Sequence, residues 1–257
     1  MLDIENAKNA FQNYISRFDS SNDKIKLKLE HTYYVMKISQ YLCQEEHVSK
    51  EDQQLAMIIA LLHDIGRFEQ IRQFDSFDDG LIDHAKLGVT VLFDEGLIEN
   101  FVSDRQYDHI IKHAILYHSL YQIPPIADPQ LLLHVQLIRD SDKLDNFRVK
   151  NVASLQTLFG ISETEFLAQT VSDNIMQNIM DHQLILKTDR KNEADMWVSY
   201  FAFVFDLNLE ASYHYLLTSQ YIEKNMHRFP WQGQLKRQME TVKRECINYI
   251  KSHDHLG

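Results

Sequence analysis

The dipeptide His63-Asp64 closes the apolar run 55–62 and is followed at once by Ile65-Gly66. Imidazole and carboxylate are both ligands for a divalent cation, and here they stand where a buried helix is expected to end. A carboxylate in such surroundings costs several kcal/mol unless its charge is compensated, and one divalent ion compensates both groups together. The chemistry to look for is therefore metal-centred, and it needs further ligands from elsewhere in the chain.

An α-helix advances about 100° per residue, so each candidate can be tested for a place on its helix's apolar stripe. His31 falls in line with Leu27, Val35, Ile38 and Leu42. His84 shares a face with Val91, near Leu92, and precedes Gly88, whose missing side chain lets another helix approach the imidazole. His118 follows Tyr107, Ile111, Ala114 and Ile115, whereas His109 and His113, at the i,i+4 spacing of many metal pairs, turn toward the opposite side and are expected to face solvent. Of three nearby aspartates, Asp142 continues the stripe of Leu131, Val135 and Ile138, Asp140 points the other way and Asp145 lies to one side. A lone inward histidine is usually a core residue bonded to a carbonyl, but an inward aspartate has few ordinary explanations. Several histidines and two aspartates turned inward in one helical half call for a common reason, and a metal centre supplies it.

These side chains must be carried by helices. The chain has 257 residues, 44% of them hydrophobic, with only 7 Gly and 4 Pro, and its periodicity is helical throughout, so the fold is read as all-α. Helices are predicted over 5–18, from about 24 to 46, from a Ser49 cap to Gly66, from an Asp83 cap to Gly96, from a Ser103 cap to about 119, and from Asp128-Pro129 onward, with a charged and aromatic loop at 68–82. Beyond about 150 the helices are aromatic, as at 196–205, and a stripe of Leu235, Met239, Val242, Cys246 and Ile250 reads as packing, with a pocket wall or a dimer face as the sharper alternative. One all-helical domain is expected, with a core at about 25–150 and additional C-terminal helices packed on it at about 151–257.

A net charge of −11 argues against an extended nucleic-acid partner, although a local cationic pocket could hold a small anion. Two cysteines, Cys43 and Cys246, fit buried free thiols in a reducing cytoplasm, and no segment reads as a signal peptide or a membrane span. A soluble, cytoplasmic protein is expected, with a homodimer as one option.

The segments Leu61-Leu-His-Asp-Ile-Gly-Arg67, Asp83-His-Ala-Lys-Leu-Gly88, Ala114-Ile-Leu-Tyr-His118 and Ile138-Arg-Asp-Ser-Asp-Lys-Leu-Asp145, together with His31, resemble the HD-domain superfamily of metal-dependent phosphohydrolases, of the small stand-alone kind. The resemblance spans roughly 25–150 and implies His31, His63, Asp64 and Asp142 as ligands of a primary metal. In two-metal members His84 and His118 would bind the second ion, with Asp64 bridging; in one-metal members those positions contact the substrate phosphate. The cofactor is thus one or two divalent ions drawn from Mn, Fe, Co, Ni, Mg or Zn. The segment 117–124 lacks the Gly-Tyr-Pro element of cyclic di-GMP phosphodiesterases, and the residues after Asp64 match neither guanosine tetraphosphate hydrolases nor deoxyguanosine triphosphohydrolases. What remains is hydrolysis of a small phosphate ester or anhydride, such as a nucleotide, by metal-activated hydroxide attack on phosphorus. Asp64 would orient that water, and Lys143 and Arg67 would bind phosphate oxygens unless they pair with neighbouring carboxylates. Two alternatives share the ligand pattern: an HD-fold di-iron oxygenase acting on a small polar substrate, and a non-catalytic nucleotide-binding module.

Overall fold

Short polar side chains open the first helices. Asp3 accepts from the Asn6 backbone ahead of α1 (Ile4–Ile15), Asn22 from Lys24 and Ile25 ahead of α2 (Asp23–Glu45), and Ser49 from Asp52 ahead of α3 (Lys50–Leu62). The computed structural model describes residues 2–255, and among them there is no strand. None of these helices is long and apolar enough to cross a membrane. The described residues divide into two compact units between Asp142 and Lys143, inside a long helix.

In the first unit α3 stops at Leu62 rather than reaching Gly66, and α4 (Ile65–Phe74) begins after a junction formed by His63 and Asp64. Asp64 stands as the cap residue of α4, with φ −107° and ψ 17°, but its side chain caps nothing. The carboxylate is thereby free to turn elsewhere. The loop expected from residue 68 starts only at Asp75, whose φ of 46° ends α4. Phe68 and Ile71 are buried one turn apart, and Phe68 meets Phe11 and Phe18 at ring separations of 5.9 and 5.7 Å. The charged residues Arg67, Glu69 and Arg72 between them masked a genuine core helix.

Asp83 caps α5 (His84–Val89) as predicted, through bonds from Ala85 and Lys86, and a π-helical stretch carries the chain from Thr90 to Asp94. After α6 (Ile98–Phe101) the cap is Asp104, not Ser103: it accepts from Gln106 and starts a 3-10 turn that runs into α7 (Asp108–Tyr117). Asp128 then accepts from Gln130 and Leu131 at the start of α8 (Pro129–Val152).

The contact between α4 and α5 decides what the first unit can assemble. A Cβ on Gly66 would lie 2.2 Å from the His84 carbonyl oxygen and 2.4 Å from the Gly88 nitrogen, both of them backbone. Gly88 is less constrained, its nearest neighbours standing at 3.4 Å. The residue that lets the two backbones meet beside His84 is therefore Gly66, with Gly88 on the receiving side.

The second unit comprises the rest of α8 and α9 (Leu155–Phe159), α10 (Glu163–Leu167), α11 (Asp173–Met180), α12 (Glu193–Phe201), α13 (Glu210–Ser219), α14 (Tyr221–Met226) and α15 (Gly233–His253). Its aromatic centre is Trp197, which meets Phe166, Phe229 and Trp231 at 5.6, 5.4 and 6.3 Å. Leu235, Met239, Val242, Cys246 and Ile250 of α15 are all buried, and α15 packs on α11, α12, α13 and α14. Both cysteines are free and buried.

Gly66→Ala should destabilise the protein by about 3 kcal/mol or more in urea unfolding, because rigid backbone must give way, whereas Gly88→Ala should cost less than about 1 kcal/mol.

Candidate metal centre

The six residues singled out in the sequence come from five places in the first unit. His31 lies on α2, His63 and Asp64 form the α3–α4 junction, His84 opens α5, His118 follows the last residue of α7, and Asp142 lies on α8. The structure brings them together. Nε2 of His31 is 3.0 Å from Asp142 Oδ1 and 3.7 Å from Asp64 Oδ2, and Nε2 of His63 is 3.5 Å from Asp64 Oδ2 and 3.9 Å from Asp142 Oδ1. On the other side of Asp64, Oδ1 is 3.3 Å from His84 Nε2 and 3.8 Å from His118 Nε2. The imidazoles follow one another edge to face, His31 to His63 at 5.5 Å, His63 to His118 at 5.3 Å and His118 to His84 at 5.0 Å between ring centres. Two overlapping groups, His31 with His63 and Asp142, and His63 with Asp64 and His118, each have ligand atoms within 4.8 Å of one another.

The orientation of the rings tests whether a cation belongs among them. A carbonyl can only accept, so the ring nitrogen bonded to it must carry the proton. His63 Nδ1 donates to the Ala60 carbonyl at 2.7 Å, and His118 Nδ1 to the Ile115 carbonyl at 2.6 Å. His84 Nδ1 donates to Asp79 Oδ1 at 2.6 Å. In a neutral ring the opposite nitrogen, Nε2, then presents a lone pair. His63 Nε2 is buried without a hydrogen-bond partner and faces carboxylate oxygens, and the His84 and His118 Nε2 atoms are 3.1 Å apart. Lone pairs turned toward carboxylates and toward each other repel, and a divalent cation converts each of these contacts into an attraction. The donor set of imidazoles and carboxylates fits such an ion.

The electrostatics agree. Burial, and after it the Arg67 guanidinium, push the His84 imidazole down to about 4, and burial also lowers His63, so both rings are neutral at neutral pH. Burial would raise the Asp64 carboxyl, but the Lys28 ammonium and then His63 outweigh it and hold the group well below the usual carboxylate range. Asp142 is lowered too: its burial is overcome by His31, through a hydrogen bond and through charge. The site therefore offers ionised carboxylates at Asp64 and Asp142 and unprotonated rings at His63 and His84, the forms that ligate metals.

The remaining candidates are placed differently. The Arg67 guanidinium is bonded to Asp79 (2.6 and 3.2 Å), to the Phe77 carbonyl (2.9 Å) and to Gln70 (2.7 Å). Lys143 lies in the second unit and bonds the Asp206 carboxylate and, at 2.8 Å, its carbonyl. Both cations are thus held by a carboxylate outside the cluster, and the Arg67 Nε also stands 3.8 Å from Asp64 Oδ1. His109 is exposed, as the helical stripe predicted, whereas His113 is half-buried, its ring tilted against that of His109 with 4.3 Å between centres. Asp140 departs from expectation, since it is fully buried rather than turned outward, and Asp145 is buried and bonded to Arg148. Residues on every side of α8 between 134 and 150 are buried, so a stripe alone could not separate one aspartate from the next.

Three contributors had not been singled out. Lys28 pairs with Asp64 Oδ2 from one turn before His31, a spacing to which the same face test applies. Asp79 comes from an irregular loop, where no periodicity points to it. That loop is tied down by Gln70, fully buried, whose side-chain amide donates to the carbonyls of Asp78 (3.0 Å) and Ile82 (2.9 Å). Arg139, 1% exposed, donates from Nη1 to the carbonyls of Tyr117, His118 and Leu120 at 2.9, 3.2 and 2.6 Å. It closes the C-terminal end of α7 and so fixes His118.

Residues 29–146 match the family model of the HD domain. No curated protein and no solved structure matches the chain.

Arg139→Met should keep the bulk of the side chain but leave three carbonyls without their donor, costing about 3 kcal/mol in chemical denaturation. The His118 ring resonances should broaden or shift in NMR spectra of the folded variant.

Proposed function

We propose that this chain is a metal-dependent phosphohydrolase whose substrate is a small phosphate ester or anhydride, with nucleotides as the first class to test. The observation that carries the reading is the convergence of four imidazoles and two carboxylates inside the stretch that matches the HD-domain model, with three of the rings locked so that their lone pairs face the carboxylates.

His31, His63, Asp64 and Asp142 would hold one divalent ion, and His84 and His118, sharing Asp64, a second. Such ions supply Lewis acidity toward a phosphoryl oxygen and acidify water near neutral pH. The chain's own part is to position and exclude. Asp64 would accept a hydrogen bond from the attacking water and aim it, a role supported by its two oxygens facing opposite halves of the cluster. His84 is kept in one tautomer by Asp79, which Arg67 in turn anchors, so that the ring does not rotate as charge develops on the substrate. The net charge of −11 keeps long polyanions away and suits a small substrate.

The test is release of inorganic phosphate from a panel of phosphate esters and nucleotides, using protein loaded with Mn, Co, Ni or Mg. Turnover of one of them supports the proposal, and inertness of the metal-loaded protein toward the whole panel overturns it. Oxygen consumption by iron-loaded protein would assign the di-iron oxygenase reading instead.

Asp64→Ala should lower turnover more than about a hundredfold and reduce the number of ions per chain seen by elemental analysis. Asp79→Ala, which leaves every proposed ligand in place, should weaken the binding of divalent ions by about 10–100-fold in calorimetric titration.

A further inference from the structure

The cations near the cluster differ in how firmly they are held. Arg67 makes bonds to a carboxylate, a carbonyl and an amide, and Arg139 is fixed by three carbonyls. Among the described residues the Lys28 ammonium has a single hydrogen-bonding partner, Asp64 Oδ2, with the face of Phe77 5.8 Å away. Its side chain is 17% exposed against 3% for Asp64, so the lysine stands between the buried carboxylate and solvent. α2 presents it on the same face as His31, one turn earlier, and its carbonyl is bonded by Thr32 at 2.9 Å, which keeps the backbone in place.

That single partner is also a proposed metal ligand. A divalent ion on Asp64 would draw on the same oxygen and repel the ammonium beside it. One such ion already balances the charges of Asp64 and Asp142. The Lys28 ammonium would then be a surplus positive charge on a flexible stem at the solvent side of the centre, positioned to donate to an anion bound there.

We propose that Lys28 binds the phosphate group of the substrate, donating to a non-bridging oxygen. This rests on the phosphohydrolase reading and identifies the cation that serves it, in place of Arg67 and Lys143, which are hydrogen-bonded to carboxylates outside the proposed ligand set.

The test uses full-length protein loaded with Mn and inorganic phosphate as the probe, with phosphate binding followed by calorimetry and ions per chain by elemental analysis. Lys28→Met keeps the apolar stem and removes the charge, and Lys28→Arg keeps the charge. Phosphate affinity should fall about tenfold or more in Lys28→Met and be largely retained in Lys28→Arg, with the ion count of wild-type protein in both. Unchanged phosphate affinity in Lys28→Met overturns the proposal while leaving the hydrolase reading intact. So does loss of bound metal in that variant, because Lys28 would then be a support for Asp64. If metal-loaded wild-type protein fails to bind phosphate, this proposal is overturned, while the hydrolase reading stands or falls with turnover of the substrate panel.

Discussion

A carboxylate that is 3% exposed and ionised has to be answered by positive charge or by aligned donors, and the first unit is arranged around that requirement at Asp64. The chain leaves helical geometry at this residue, so that its side chain, released from capping α4, turns inward. One oxygen faces Lys28, His31 and His63, the other His84 and His118. That second pair of contacts exists only because Gly66, two residues on, carries no side chain and the backbone that presents His84 can press against it. The cost of burial and the close backbone contact are thus two sides of one arrangement.

The histidines are oriented from behind by a recurring device. The last carbonyls of a helix have no partner within it, and a side chain just past the end can supply one. His63 bonds the carbonyl of Ala60 and His118 that of Ile115, each three residues back at the end of its helix. The bond that completes the helix end also fixes the tautomer and aims the other nitrogen at the cluster. His84 stands at the start of a helix, where no such carbonyl exists, and Asp79 takes the same role from a loop held by Arg67 and Gln70. The cations in this part of the chain are mostly structural in the same sense: Arg67 secures that loop and Arg139 secures the helix end that carries His118. Lys28 differs in having its ammonium on a proposed metal ligand.

Much of this was legible from residue types and spacing. Helical periodicity identified an all-α chain, the capping residues Ser49, Asp83 and Asp128 marked helix starts, and the face test pointed His31 and His118 inward while turning His109 outward. The test failed where its premise failed. It assumes one buried face and one wet face, and α8 is buried on every side around Asp140 and Asp142. α4 was missed because the charges of Arg67, Glu69 and Arg72 around Phe68 and Ile71 hid a buried face, and Asp79 because an irregular loop has no period to read.

The sequence by itself determined the chemistry available: which residues could ligate a metal, that helices would carry them, and that their motifs resemble those of an HD domain. Only the tertiary structure decided which lone pairs face one another, which carboxylates hold which cations, and that Lys28 hydrogen-bonds the central carboxylate while Arg67 stands 3.8 Å from its other oxygen and Lys143 pairs with Asp206. The reason is physical. Local propensity acts over one or two turns of helix, whereas ring orientation and ion pairing are settled by groups 30 or more residues apart in the chain, such as His84 with His118 or Lys28 with Asp64, and meet only when the backbone at Gly66 lets the helices close.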